Sequence, residues 1–160
     1  MLLISISLIS CQQTPSAPPY NLGVGSSDVI VVPYEEMGGV KLIPIKLNGI
    51  TLNMIYDTGC SGLHLSQNEL IYLAKNGKID ASDIEGTTLS RIADGSVVEN
   101  LSVNIREIEV GGEKGIILRD VMASVSQNLD APVLLGNGVM DAFASVEVDN
   151  IDRTINFKRR

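Results

Sequence analysis

The chain has 160 residues, enough for one domain of ordinary size with a core able to fold unaided. Hydrophobic residues make up 44% and aromatics only 4%, with no tryptophan, so the core must be built from Ile, Val and Leu, which favours strands. A net charge of −7 argues against a nucleic-acid partner, because phosphate binding needs a positive surface and the basic tail Lys158-Arg159-Arg160 is too short to supply one.

The chain opens on "MLLISISLISCQQ", a short apolar run that ends in small residues and a cysteine. It resembles a bacterial lipoprotein signal. Residues 1–10 would be the signal peptide, Leu8-Ile9-Ser10-Cys11 the cleavage box, and the Cys11 sulfur the carrier of diacylglycerol. No Lys or Arg precedes the apolar run, which departs from such signals. The run is far below the ~20 residues that a membrane-spanning helix needs. The resemblance implies a lipid-anchored protein of the bacterial cell envelope, periplasmic or surface-exposed. Residues 11–27 then form the anchor and a linker, since "QQTPSAPPYNLGVGSS" is rich in Pro, Ser and Gly with little to bury. With Cys11 lipidated, Cys60 is left as an unpaired thiol, and no intrachain disulfide is expected.

The folded domain is expected over residues 28–160, and it reads mostly as strand. Asp28 to Pro33 is a β-branched run. Lys41 to Leu47 alternates, with Ile43, Ile45 and Leu47 on one face. Asn48-Gly49 is a hairpin turn, since both residues tolerate positive φ. Thr51 to Tyr56 returns as the partner strand and delivers Asp57 at its end. Ser66-Gln67-Asn68-Glu69 fits a capping box ahead of a helix carrying Leu70, Leu73 and Ala74, closed by Asn76-Gly77. Asn76 to Thr88, with Asp80, Asp83 and Glu85, reads as a solvated connection, its spacing unlike that of a calcium loop. Leu101, Val103 and Ile105 alternate with Ser102, Asn104 and Arg106, and Gly111-Gly112 marks a turn. Val121 to Val125, Pro132 to Leu135, Ala144 to Val148 and Thr154 to Lys158 complete the strands. A short helix is expected around Val139 to Phe143.

The stretch "MIYDTGCSGLHLS" places a carboxylate at the end of an apolar strand and turns at once into another apolar segment. Asp, Thr and Gly are ordinary turn residues, so the tripeptide alone is a weak signal. Phosphoryl-transfer enzymes also put Asp at a strand end, but on a parallel α/β sheet whose alternating helices are missing here. A metal site would need more ligands than His64 and scattered acids provide. About seventy-five residues later comes "PVLLGNGVMDAF", two apolar residues and a glycine ahead of a short helix. Asp57-Thr58-Gly59 paired with Leu134-Leu135-Gly136 resembles the retropepsin-like (clan AA) aspartic proteases. The likeness runs from Val40 to Phe157. "IADGSVVENLSVNI" stands where that family carries its flap, with Ala93, Asp94 and Gly95 at the tip, and "VEVDNIDRTINF" is similar to its closing strands.

The resemblance implies an all-β fold, a retropepsin-like closed β-barrel with one or two short helices. It implies an aspartic endopeptidase with Asp57 as the catalytic carboxylate. Thr58 and Gly59 would form the active-site loop, with Leu134, Leu135 and Gly136 bracing it from beneath. No metal or organic cofactor is implied. Peptide hydrolysis needs two carboxylates around one water, and the chain has one Asp-Thr-Gly and no Asp-Ser-Gly. A homodimer is therefore expected, with the two Asp57 groups meeting at a two-fold axis and an extended polypeptide lying across the cleft. Apolar side chains of the substrate are expected in pockets beside the scissile bond. Cys60, where the family carries a small Ala or Ser, is expected to pack as a small apolar residue, with peroxide sensitivity as the sharper reading. His64 is read as a plain strand residue. Two rivals remain at this stage: a peptide-binding lipoprotein that keeps the fold without cleaving, and a β-barrel scaffold whose Asp-Thr-Gly is a chance turn.

Overall fold

The computed structural model describes residues 28–92 and 94–160. The expected signal peptide, the Cys11 lipidation site, the linker and the flap residue Ala93 lie outside the described residues. The strands are β1 (Val29–Pro33), β2 (Glu35–Met37), β3 (Val40–Leu47), β4 (Ile50–Tyr56), β5 (Leu63–Leu65), β6 (Ile84–Arg91), β7 (Val97–Val110), β8 (Ile116–Val125), β9 (Leu134–Leu135), β10 (Ser145–Asp149) and β11 (Thr154–Lys158). Two short helices accompany them, α1 (Gln67–Lys75) and α2 (Asn137–Met140).

Eight strands form one sheet in the order β2-β3-β4-β9-β5-β8-β7-β6. Strand β3 pairs a second time, with β7, through Ile45–Val110, Lys46–Glu109 and Leu47–Ile108. The run from β3 to β7 therefore closes on itself around a core of Ile43, Ile45, Met54, Leu65, Ile105 and Leu135, each fully buried. The protein is all-β as expected. The barrel is an irregular ring: β9 contributes two residues, the closing contact only three pairs, and β2 and β6 extend beyond it. A separate three-stranded sheet, β1-β11-β10, joins the two ends of the described chain. It packs Phe157 against Phe143, ring centroids 4.9 Å apart.

Local chemistry explains most element ends. Asn48 and Gly49 take φ of 46° and 89° at the β3–β4 turn. The Asn48 side chain also donates to the Lys78 carbonyl at 2.9 Å and accepts from the Glu107 N–H at 2.9 Å, tying the turn to neighbouring segments. Ser66 caps α1, its hydroxyl oxygen accepting from the N–H groups of Asn68 and Glu69 at 3.1 and 3.4 Å. The Glu69 carboxylate accepts from the Ser66 hydroxyl instead of the Ser66 N–H, so only the Ser66 half of the expected capping box forms.

Three expectations are corrected. Helix α2 begins at Asn137, two residues before the expected Val139, because Gly136 is its N-cap, and it ends at Met140. The strand expected over Pro132 to Leu135 pairs only at Leu134 and Leu135, since this is where it is wedged between β4 and β5. The connection Asn76 to Thr88 is not simply solvated. Asp83 is 5% exposed, accepts from the Asp80 N–H at 2.9 Å and pairs with Arg106 at 3.2 Å. Strand β6 starts directly after Asp83, so the hairpin it makes with β7 begins at Ile84, well before "IADGSVVENLSVNI".

Candidate active site

Strand β4 enters the site along an apolar path and leaves it at Asp57. The strand geometry persists to this residue, for its N–H donates to the Leu135 carbonyl at 3.1 Å. The chain then turns through Thr58 to Gly62 and departs along β5. Strand β9 slides between β4 and β5, parallel to the first and antiparallel to the second. The Asp57 loop is thus held open by a strand from the far end of the sequence.

The grip is specific. Gly136, Asn137 and Gly138 donate their N–H groups to the carbonyls of Gly62, Cys60 and Ser61, each at 2.9 Å. The Asn137 side-chain amide donates to the Thr58 carbonyl at 2.7 Å. A Cβ on Gly136 would lie 2.4 Å from both the Cys60 and Gly62 carbonyl oxygens, so only glycine permits this approach. Inside the loop, the Gly59 N–H donates to Asp57 Oδ1 at 2.8 Å and fixes the carboxylate's direction. Asp57 is half-buried, with Thr58 and Gly59 exposed beside it.

The sequence-predicted residues Asp57, Thr58, Gly59, Leu134, Leu135 and Gly136 therefore come together in one network. Leu134-Leu135-Gly136 stands beside Asp57, the opposite of the remote placement that would favour the chance-turn rival. Asp94 and Gly95 sit apart from the network at the hairpin tip. There Gly95 takes φ of 87°, Asp94 Oδ1 accepts from the Ser96 N–H at 2.8 Å, and Arg91 donates to the Gly95 carbonyl at 3.1 Å. Cys60 is half-buried, and its thiol donates to the Gly62 carbonyl at 3.2 Å inside the loop. Asn137 and Gly138 were missed by the sequence reading. Their signal was their place directly after Leu134-Leu135-Gly136, where the same backbone must pass the loop.

No group of three or more His, Cys, Asp or Glu side chains able to hold a metal occurs among the described residues. No helix among them is long and apolar enough to cross a membrane.

The family model for "gag-polyprotein putative aspartyl protease" matches residues 43–142, a span from β3 through α2 that includes Asp57, the β6–β7 hairpin and Leu134 to Gly136. The chain belongs to that aspartyl protease family. Among solved structures, a retropepsin-like aspartic protease from Rickettsia conorii is similar, with a TM-score of 0.61. The two share 17% identity over 89% of this chain and 97% of that one. At that identity the likeness speaks for the fold, which is retropepsin-like. A search of curated proteins finds no match.

Proposed function

We propose that the protein is an aspartic endopeptidase that works as a homodimer, with Asp57 of each chain facing the other across a two-fold axis. The observation that carries this reading is a single carboxylate, aimed by the Gly59 N–H at 2.8 Å and standing in a loop gripped by Gly136 to Gly138. The sequence holds one such loop per chain. Two carboxylates brought close share a proton, because both cannot ionise cheaply side by side. The ionised one takes a proton from a water molecule, and the neutral one donates to the carbonyl oxygen of the peptide bond. The water oxygen bonds to the carbonyl carbon, and collapse of the tetrahedral species expels the amine, which leaves with a proton. In this scheme Thr58 and Gly59 hold the carboxylates in place, and the β6–β7 hairpin closes over the bound peptide and excludes water.

The test is digestion of an unfolded protein at several dilutions, with pepstatin as inhibitor and sedimentation to count subunits. Pepstatin-sensitive cleavage that falls with the dimer, and its abolition in Asp57→Asn with the dimer intact, is the expected result. Cleavage by the Asp57→Asn protein refutes the assignment.

We also propose that Cys11 carries a lipid that anchors the domain to the cell envelope, reached through the linker of residues 11–27. The apolar run ending at Leu8-Ile9-Ser10-Cys11 supports this. In bacteria fed a labelled fatty acid, the wild-type chain should take up label and sediment with membranes, whereas Cys11→Ser should do neither. Equal labelling of both chains overturns it.

A further inference from the structure

The basic run Lys158-Arg159-Arg160 is too small for a nucleic-acid face, and its two guanidinium groups are spent on the chain's own carbonyls. Arg159 Nη2 donates to the Lys114 and Gly115 carbonyls at 2.7 and 2.8 Å. The Arg159 N–H donates to the Asp28 carbonyl at 2.8 Å, at the entry to β1. Arg160 has a different target. Its Nη2 donates to the Asp141 carbonyl at 2.7 Å and its Nε to the Phe143 carbonyl at 3.4 Å. Nε and Nη2 share one edge of the planar guanidinium, a fork that suits two acceptors side by side.

These two carbonyls stand just past α2, and the start of α2 is what grips the Asp57 loop. The helix has four residues, a single turn, and no side chain caps its first N–H groups. One turn gains too few hydrogen bonds to hold its own shape, so its neighbours must hold it. Val139 and Met140 are buried and fix one side. At the far end the Asp141 N–H donates to the Asn137 carbonyl at 2.8 Å. Asn137 in turn donates its N–H to the Cys60 carbonyl at 2.9 Å and its side-chain amide to the Thr58 carbonyl at 2.7 Å. A continuous run of hydrogen bonds therefore joins Arg160 to the residues on either side of Gly59.

Resting on the protease reading, we propose that Arg160 is a positioning residue for catalysis. Its guanidinium holds the end of α2, so that Asn137 keeps the Asp57 loop aligned with its counterpart across the dimer axis. Arg160 acts only through the backbone of α2. Two carboxylates sharing one water tolerate little displacement, and a shift of about 1 Å can cost about a hundredfold in rate. Without the guanidinium the one-turn helix loosens, and the loop loosens with it. Peptide binding is spread over the length of the cleft, so the loss falls on the chemical step. Lysine replaces this fork poorly, because its ammonium is a point donor on a flexible stem.

The test compares the whole wild-type chain with Arg160→Gln and Arg160→Lys, at concentrations where sedimentation shows one oligomeric state. For Arg160→Gln, kcat on an unfolded protein substrate should fall about tenfold, with KM within about twofold of wild type. Arg160→Lys should fall between the two. Hydrogen exchange needs no activity and reads the helix directly. In Arg160→Gln the Asn137 and Gly138 amides should exchange about tenfold faster, a larger change than at core amides such as Ile43 and Ile105. Wild-type kcat in Arg160→Gln, a loss confined to KM, or equal acceleration of α2 and core amides overturns the proposal and leaves the protease reading standing. Absence of cleavage by the wild type sinks the protease reading and the catalytic role with it, while the exchange difference still decides whether Arg160 holds α2.

Discussion

The Gly136 contact gives the sharpest mutational forecast. In Gly136→Ala the new methyl would sit 2.4 Å from the carbonyl oxygens of both Cys60 and Gly62, and 2.8 Å from the Cys60 carbonyl carbon. All three are backbone atoms, so no side chain can swing away and the loop itself must move. Forcing an extra carbon into such a space costs about 1–3 kcal/mol. The shift also strains the Gly136 and Asn137 hydrogen bonds to Gly62 and Cys60, worth about 1 kcal/mol each. A loss of roughly 3–5 kcal/mol in unfolding free energy follows, read from the urea midpoint at unchanged slope. Peptidase activity in the fraction that stays folded should fall further, up to about a hundredfold, because the loop that moves carries Asp57. Gly62→Ala is the control, since a Cβ there meets nothing within 4 Å. It should change stability by less than about 0.5 kcal/mol. Equal midpoints for the two variants would refute the close-approach reasoning.

Three further outcomes follow from named contacts. Asn137→Ala removes the amide bond to the Thr58 carbonyl; it should cost about 1 kcal/mol of stability but lower kcat more than it raises KM, and a variant with wild-type kcat would show the contact to be idle. Arg106→Ala leaves the Asp83 carboxylate, 5% exposed, without its cation and with only the Asp80 N–H as partner. Because Arg106 itself is largely open to solvent, the loss should be about 1–3 kcal/mol, below that of a fully buried pair, and a urea midpoint equal to wild type would contradict this. The hydrogen bonds from Ser96 hold the Asp94 carboxyl below its ordinary 3.8. A depressed value means the turn is favoured above the ordinary pKa and loses that support as pH falls through the lowered one. Protection of the Ser96 amide, its exchange compared with the intrinsic rate at each pH, should therefore hold down to acidic pH and fall only below about 3.8, whereas loss of protection between pH 5 and 6 would go against it.

Much of the fold was legible residue by residue, because the signals are local. The alternation of Ile43, Ile45 and Leu47 follows from a period of two, the Asn48-Gly49 turn from positive φ, and the Ser66 cap from a hydroxyl within reach of the next N–H groups. Strand β6 was not legible. "IEGTTLSR" shows almost no apolar alternation, and its pairing with β7 runs through backbone groups that any sequence supplies. The Asp83–Arg106 pair was invisible for a related reason: an acid in a polar loop looks solvated until a residue on another strand closes over it.

At the site, the chain's own sequence determined which chemistry is on offer: a carboxylate at Asp57, a glycine at Gly59 whose N–H can reach it, and an apolar-apolar-Gly turn at Leu134 to Gly136. Only the tertiary structure decided that these segments, far apart along the chain, meet as neighbouring strands with Gly136 pressed onto the Cys60 and Gly62 carbonyls. The physical reason is that strand alternation says which residues share a face within one strand. Which strands lie side by side, and in which register, is set by packing the whole core at once.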